Sequence, residues 1–118
     1  MTYDDIVRIG LTFEDVEEAL SWGTPGLKRK GKFMLRLKED GETIAVKLDW
    51  DTHDRLLEEA PEVFFKTPHY EGYPALLARL DAIGPSLASE LLQASWRSAF
   101  SPQRPPRVRG TRGSSPPT

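Results

Sequence analysis

The stretch Leu27-Lys-Arg-Lys-Gly-Lys-Phe-Met-Leu-Arg-Leu-Lys38 holds six basic residues and no acidic one. Side chains of a β-strand point to opposite faces with a period of two, and five of these six cations fall on alternate positions. The alternation predicts one half-buried strand from Leu27 to Lys38. Its buried face would hold Leu27, Phe33, Leu35 and Leu37. Its solvent face would hold a row of cations, namely Lys28, Lys30, Lys32, Arg36 and Lys38.

Two interpretations of this basic row stay open. A half-buried antiparallel strand needs a polar outer face, and lysine commonly fills it and protects edge strands from aggregation. On the other interpretation the row is a binding surface. Cations two residues apart in a strand lie roughly 6.7 Å from one another, from a rise of about 3.3 Å per residue. That spacing suits contacts with the phosphates of a polyanion.

The composition of the 118 residues limits the classes of function. There is no cysteine, so disulfides, thiolate metal sites and thiol redox chemistry are excluded. Four of the 16 basic residues lie after residue 100 with no acid, which leaves 12 basic and 18 acidic residues before it, a net charge of −6. Steering toward nucleic acid would therefore depend on local basic segments acting against an acidic domain.

The ends of the chain give its organisation. The N-terminus is acidic without the apolar segment of a signal peptide, and no apolar run nears the roughly 20 residues of a membrane span. We therefore expect a soluble, cytoplasmic protein that does not enter membranes. Residues 101–118 contain five prolines and two glycines and have no apolar periodicity. We expect one domain over residues 1–100, followed by a disordered tail rich in arginine, proline and serine.

The first half of the chain predicts a helix followed by strands. Thr2 can cap a helix that ends near Gly10 or Leu11, with acidic residues in its first turn. Asp15 to Trp22 fits either a short strand or a helical turn, and Gly23 to Gly26 is typical of a turn. The further elements are the strand Leu27–Lys38, a hairpin turn at Glu39–Glu42 and a strand over Thr43–Trp50 with Lys47 outward.

The second half predicts a helix, a hairpin and a last helix. Asp51 or Thr52 would cap a helix that Pro61 ends, and Pro85 suits the first position of the last helix. Two strands, Val63–Thr67 and Tyr73–Leu80, flank a turn. The order α-β-β-β-α-β-β-α predicts an α+β fold of two layers, in which helices cover one antiparallel sheet.

Several strings of residues, taken in order, resemble the MmcQ/YjbR-like family of small bacterial domains. The resemblance spans about residues 3–100. It rests on Ser21-Trp-Gly-Thr-Pro-Gly-Leu-Lys28, Gly31-Lys-Phe33, Pro61-Glu-Val-Phe-Phe65, Thr67-Pro-His-Tyr70, Gly72-Tyr-Pro74, Leu91-Leu92 and Ala94-Ser-Trp-Arg97. The resemblance implies a fold similar to type III secretion chaperones and a DNA-binding role in which two β-hairpins act as wings.

Signals for catalysis or for a cofactor are weak. The segment Gly26 to Phe33 comes within one residue of a phosphate-binding P-loop, but Phe33 stands where a hydroxyl must bind Mg²⁺. His53, expected on an exposed helical turn, and His69 lie too far apart in sequence to seed a zinc site. The serines have no neighbouring base. We therefore expect no enzyme, no cofactor, no metal and no small-molecule substrate.

The leading hypothesis is a small module without enzymatic activity that binds double-stranded DNA weakly, with little sequence specificity, through its phosphates. The three tryptophans are expected in core or edge packing, with the core favoured, while Tyr70 and Tyr73 are better candidates for stacking on bases. The residues expected to contact nucleic acid are Lys28, Lys30, Lys32, Arg36, Lys38 and Lys47 on the first hairpin, and Lys66, His69, Tyr70 and Arg79 on the second.

The alternative hypothesis is a protein-interaction module that resembles a chaperone. Its sheet or a groove beside a helix would hold a partner peptide or a second copy of the chain. Phe64 and Phe65 point to opposite faces if they are extended, so one of them would be exposed. An interface rich in Phe64, Phe65 and Trp96 would favour this hypothesis.

Overall fold

The computed structural model describes residues 1–100, so the predicted disordered tail over residues 101–118 lies outside the described residues. The described residues form an α+β fold with the element order α-β-β-β-β-α-β-β-α. The predicted fold class is confirmed, with one strand more than expected. The elements are α1 Tyr3–Gly10, β1 Val16–Ser21, β2 Thr24–Arg29, β3 Lys32–Leu37, β4 Thr43–Lys47, α2 Trp50–Glu59, β5 Phe64–Phe65, β6 Ala75–Arg79 and α3 Pro85–Ser98.

The additional strand arises because the basic segment is a hairpin and not one strand. Lys30 and Gly31 have φ values of 48° and 80°, so both adopt left-handed backbone conformations. Two consecutive left-handed residues make the tight turn that joins antiparallel strands with the correct twist. Arg29 of β2 therefore pairs with Lys32 of β3, and the prediction of a continuous strand from Leu27 to Lys38 is wrong.

A second two-residue turn of the same kind joins β1 to β2. Trp22 and Gly23 have φ values of 53° and 84°, and Ser21 pairs with Thr24 across them. The segment Asp15 to Trp22, which the sequence left open, is thus mainly strand β1. The predicted turn over Gly23–Gly26 lies one residue earlier, because the chain from Thr24 onward already belongs to β2.

A β-bulge in β3 changes which side chains face the core. Leu27 pairs with Leu35 and Lys28 pairs with Phe33, so Met34 is the additional residue. Met34 and Leu35 are both buried although they are consecutive. The bulge also places Phe33 on the face of Lys28, opposite to Leu27. The predicted apolar row of Leu27, Phe33, Leu35 and Leu37 is therefore wrong for Phe33.

All six strands form one antiparallel sheet in the order β1-β2-β3-β4-β6-β5. The register separates two faces. The core face carries the cross-strand row Leu27, Leu35, Val46 and Leu76, together with Ile44, Ala78 and Phe64. The other face, called the open face below, carries the row Gly26, Arg36, Ala45, Leu77 and Phe65.

Helices cover the core face. Thr2 caps α1 as predicted and forms a capping box with Asp5, in which each side chain accepts a backbone N–H. Helix α3 begins at Pro85 as predicted and is tied to the bulge, because Ser95 Oγ donates to the carbonyl of Met34 at 2.9 Å. The buried residues of α1, α2 and α3 join those of the core face in one cluster.

Helix α2 begins slightly earlier than the sequence predicted. Its N-cap is Asp49, which accepts from the backbone N–H and the hydroxyl of Thr52, so the predicted caps Asp51 and Thr52 lie inside the helix. Asp49 also accepts from Ser98 Oγ of α3 at 3.3 Å. The cap therefore joins two helices, a long-range contact that short-range sequence patterns do not contain.

The strands β2 and β3 lie so close together at Gly26 that a side chain at this position would clash. A Cβ at this position would lie 2.4 Å from the carbonyl oxygen of Leu35 and 3.2 Å from Cα of Arg36. Because both are backbone atoms, Gly26→Ala should lower the free energy of unfolding by about 1–3 kcal/mol, the usual cost of overpacking. Urea denaturation followed by circular dichroism would measure it.

The matched control is Gly84→Ser at the N-cap of α3. A Cβ there meets nothing within 4 Å, and α3 has no side-chain cap. Serine is a preferred N-cap residue, so stability should stay the same or rise. Equal stabilities of Gly26→Ala and the unsubstituted protein would contradict the strand spacing described here.

Candidate binding site on the open face of the sheet

A cleft of about 420 Å³ lies on the open face of the sheet. We call it the aromatic cleft. It is lined by Trp22, Phe33, Lys47, His69, Tyr70, Tyr73, Pro74 and Ala75. The turn before β2, the bulge in β3 and the segment between β5 and β6 thus meet in one place. Its volume falls in the range of small-ligand sites, about 300–1,000 Å³.

Trp22 forms one wall of the cleft. Its left-handed turn directs the indole to Phe33, with ring centroids 5.2 Å apart in an edge-to-face arrangement. The side chain nevertheless remains 71% exposed, so the prediction that Trp22 belongs to the core is wrong. The sequence signal that could have placed it was Gly23, because an X-Gly pair between alternating segments favours a two-residue hairpin turn.

Arg36 belongs to the open face of the sheet, but its side chain is buried and is not part of an exposed row. It is 4% exposed, and its Nη1 donates to Thr24 Oγ1 at 2.9 Å and to Glu39 Oε2 at 3.3 Å. Its Nη2 donates to the hydroxyl of Tyr70 at 3.3 Å. The prediction of a solvent-exposed Arg36 is wrong because the guanidinium is buried among these groups, which accept from both of its terminal nitrogens, while its buried Nε has no hydrogen-bond partner among the described residues.

Tyr70 is also buried, as part of the short 3₁₀ turn Pro68–Tyr70 that packs over Ala45, Ala75 and Leu77. Its ring lies 5.0 Å from Lys38 Nζ and 5.1 Å from the ring of His69. Tyr70 therefore lines the cleft as a buried residue, whereas His69 is exposed at the rim. Tyr73, half exposed, is the better placed of the two predicted stacking residues.

Lys47 is buried at the floor of the cleft, which corrects the prediction that it points outward to solvent. Its Nζ donates to the carbonyl of Ala99 at 3.1 Å, just beyond the C-terminus of α3. Burial first, and then the positive charge of Lys32, lower the pKa of Lys47. The ammonium of Lys32 therefore adds positive potential at the side chain of Lys47.

The remaining predicted cations separate between two ends of the sheet. We call the end with the β2–β3 turn, the end of β4 and the β5–β6 connection the basic end. It carries Lys28, Lys30, Lys32, Lys47, Lys66 and His69. Acids lie near three of them, since Asp15 is 3.7 Å from Lys30, Glu17 pairs with Lys28 across the strands, and Glu71 and Asp54 act electrostatically on Lys66.

The opposite end carries the predicted contacts Lys38 and Arg79 among acidic residues. Arg79 bonds Glu42 at 2.9 Å and lies 3.4 Å from Asp81, while Lys38 lies 3.7 Å from Glu39. The structure thus does not bring the ten predicted residues into one continuous surface. Arg36 and Tyr70 are buried, and Arg79 is compensated by carboxylates.

The buried His53 contacts Lys66, which in turn bonds the segment between β5 and β6 that lines one side of the cleft. His53 is 4% exposed, so its predicted place on an exposed helical turn is wrong. Lys66 Nζ lies 2.9 Å from His53 Nε2 and donates to the carbonyl of Tyr73 at 2.7 Å, while Nδ1 of the imidazole lies 2.8 Å from Asp54. Because an ammonium only donates, Nε2 must accept and Nδ1 must carry the proton.

Comparison with known proteins gives the family. The YjbR family profile matches residues 11–98, which include all six strands and α3. The chain belongs to the YjbR family. Among its relatives are Uncharacterized protein Mb2600 of Mycobacterium bovis and Uncharacterized protein Rv2570 of Mycobacterium tuberculosis. Each is 31% identical over 110 residues, which cover 80% of this chain and 85% of the relative.

Two kinds of feature are absent from residues 1–100. None of the helices there is long and apolar enough to cross a membrane. Within the same residues, no group of three or more histidine, aspartate or glutamate side chains is placed to hold a metal ion.

The His53 contacts predict a pH-dependent stability. Burial first, and the charge of Lys66 in addition, lower the pKa of His53 below its usual value of 6.5, against the opposing effect of Asp54. The unfolded chain then binds the proton more readily, so stability should fall as pH drops below about 6.5, by at most about 1.4 kcal/mol per pH unit. Urea denaturation at pH 7.5, 6.5 and 5.5 would measure it.

Two imidazole variants identify the group responsible. His53→Gln should abolish most of this slope, whereas His69→Gln, at the exposed histidine, should keep it. The carboxylates with lowered pKa, such as Asp40 and Asp49, lose their stabilising effect only at lower pH. A slope that survives in His53→Gln would contradict the assignment.

Proposed function

We propose that this protein is a DNA-binding module without enzymatic activity that contacts phosphates through the basic end of its sheet. The observation that carries the proposal is the tight hairpin at Lys30 and Gly31. It places Lys28, Lys30 and Lys32 around one turn, at the same end of the sheet as Lys47 and Lys66. Clustered cations beside one another are the electrostatic requirement for holding a polyanion.

The distribution of charge supports a local contact surface. Residues 1–100 carry a net charge of −6, but the end of the sheet opposite to the hairpin holds Glu39, Asp40, Glu42 and Asp81. DNA would approach the basic end, with the opposite end turned away from it. Lys28 and Lys32 are the principal contacts in this proposal, since Lys30 forms an ion pair with Asp15, whereas Glu17 is only the cross-strand neighbour of Lys28.

The proposed binding has little sequence specificity. Contacts with phosphates position a protein on DNA and carry no sequence information. Reading of guanine by arginine needs a guanidinium that is free to make paired hydrogen bonds with the base. Arg36 is buried and Arg79 is engaged by two carboxylates, so neither side chain suits that role.

A second candidate function is binding of a protein partner or a second copy of the chain. It is favoured by exposed apolar groups, because Leu20 is 70% and Phe65 is 38% exposed. Both lie on the outermost strands, β1 and β5, where strand edges can add a further strand. Of the predicted interface residues, Phe64 is buried and Phe65 is the exposed member of the pair.

Fluorescence anisotropy with duplex DNA across a salt series tests the DNA-binding proposal. We compare the full chain with a double variant, Lys28→Gln with Lys32→Gln. Loss of two phosphate contacts should weaken binding and make the slope of log K against log salt shallower by about 1.8, from roughly 0.9 per contact. Thermal melting checks that each variant is folded.

The matched control removes the same charge at the opposite end, through Lys38→Gln with Arg79→Gln. This variant should bind as the unsubstituted chain does, because its cations already face carboxylates. A further variant replaces the four tail arginines, Arg104, Arg107, Arg109 and Arg112, by glutamine. Binding that disappears with the tail arginines but survives Lys28→Gln with Lys32→Gln would overturn the proposal.

A further inference from the structure

The aromatic cleft combines flat apolar walls with positive charge. Trp22, Phe33 and Tyr73 supply aromatic rings, and Pro74 and Ala75 supply apolar surface between them. Lys47 lies at the floor, and none of the eight lining residues is acidic. A site of this composition suits a planar ring that carries a negative group, because the rings offer stacking and the ammonium group of Lys47 offers charge.

Two of the aromatic side chains are held open to solvent. Trp22 is 71% and Tyr73 is 50% exposed, although burial would remove a large apolar area from water. Trp22 also adopts a left-handed backbone conformation, which is uncommon for a bulky residue and often marks a functional site. This conformation belongs to the two-residue turn between β1 and β2, and the turn holds the indole at the cleft.

Positive charge lies beside the aromatic rings of the cleft. The ammonium of Lys47 lines the cleft and donates to the carbonyl of Ala99, and that of Lys32 lies within electrostatic reach of it. A phosphate at the rim of the cleft would be attracted by both charges. Lys32 belongs to the hairpin proposed to contact phosphates, so the cleft adjoins the basic end.

We propose that the aromatic cleft takes an unpaired nucleobase of single-stranded DNA, stacked against Trp22 and Tyr73, with its phosphate near Lys32 and Lys47. This inference rests on the proposed function and specifies its substrate. A paired base has both ring faces covered by neighbouring bases, whereas a base in a single strand can be splayed out and stacked on a side chain. The protein would therefore prefer single-stranded over duplex DNA.

The test compares three fluorescent ligands of equal length with the full chain at one salt concentration. They are a 15-residue oligothymidylate, an abasic strand with the same phosphates, and a duplex. Stacking of one base is worth about 1–3 kcal/mol, so the oligothymidylate should bind on the order of tenfold more tightly than the abasic strand. Trp22→Ala and Tyr73→Ala should each remove most of that difference and leave the abasic strand unaffected.

Two control variants test whether the cleft is responsible for the preference for the oligothymidylate. Phe65→Ala removes an exposed aromatic ring of the open face that does not line the cleft, and should leave all three affinities unchanged. Trp22→Phe keeps a ring and should retain part of the preference for the oligothymidylate. Thermal melting of every variant verifies folding, and Trp22→Phe keeps the question answerable if Trp22→Ala does not fold.

The outcomes separate this inference from the proposed function. Equal affinities for the oligothymidylate and the abasic strand, both reduced by Lys28→Gln with Lys32→Gln, would overturn the cleft inference and leave phosphate binding in place. No binding of any ligand beyond that due to the tail arginines would overturn both. A preference for the oligothymidylate that Trp22→Phe and Tyr73→Ala leave intact would also overturn the assignment to the cleft.

Discussion

Lys30 and Gly31 both occupy the left-handed region of the backbone, and this two-residue turn holds β2 against β3. The pairing that it sets continues into the bulge at Met34, which turns two consecutive side chains toward the helices and Phe33 toward the open face. The same register lets Arg29 stack on the ring of Trp96 in α3, 3.7 Å from its centroid. Core packing, the attachment of α3 and the aromatic cleft therefore share one geometric origin.

Arg36 holds the elements of the open face together, as the apolar core does on the other face of the sheet. A buried guanidinium is costly without hydrogen bonds, and Thr24, Glu39 and the Tyr70 hydroxyl accept from its two terminal nitrogens. These three partners come from β2, the β3–β4 turn and the 3₁₀ turn after β5. The charge thus fixes the position of the segment that forms one side of the cleft, without any helix on that face.

Much of the fold follows from local patterns in the sequence. The Thr2 cap, Pro85 at the start of α3 and the hairpin between Phe64 and Arg79 depend on neighbouring residues, and they were predicted from them. The Lys30 turn was missed because strict alternation favours a strand, whereas a left-handed lysine is set by the pairing around it. The burial of Arg36, Lys47 and His53 was missed because each depends on a partner distant in sequence.

The basic residues of this segment were therefore identified correctly from the sequence, but their arrangement in one row was predicted wrongly. Once the strand becomes a hairpin, its cations no longer form a line along one face, and Arg36 leaves the surface altogether. What remains is a cluster around one turn, next to a cleft whose exposed rings the sequence had assigned partly to the core. A linear row would match the regular phosphates of a duplex. A cluster beside stacking rings matches an irregular, flexible strand better, since only such a strand can present a phosphate and an unstacked base together.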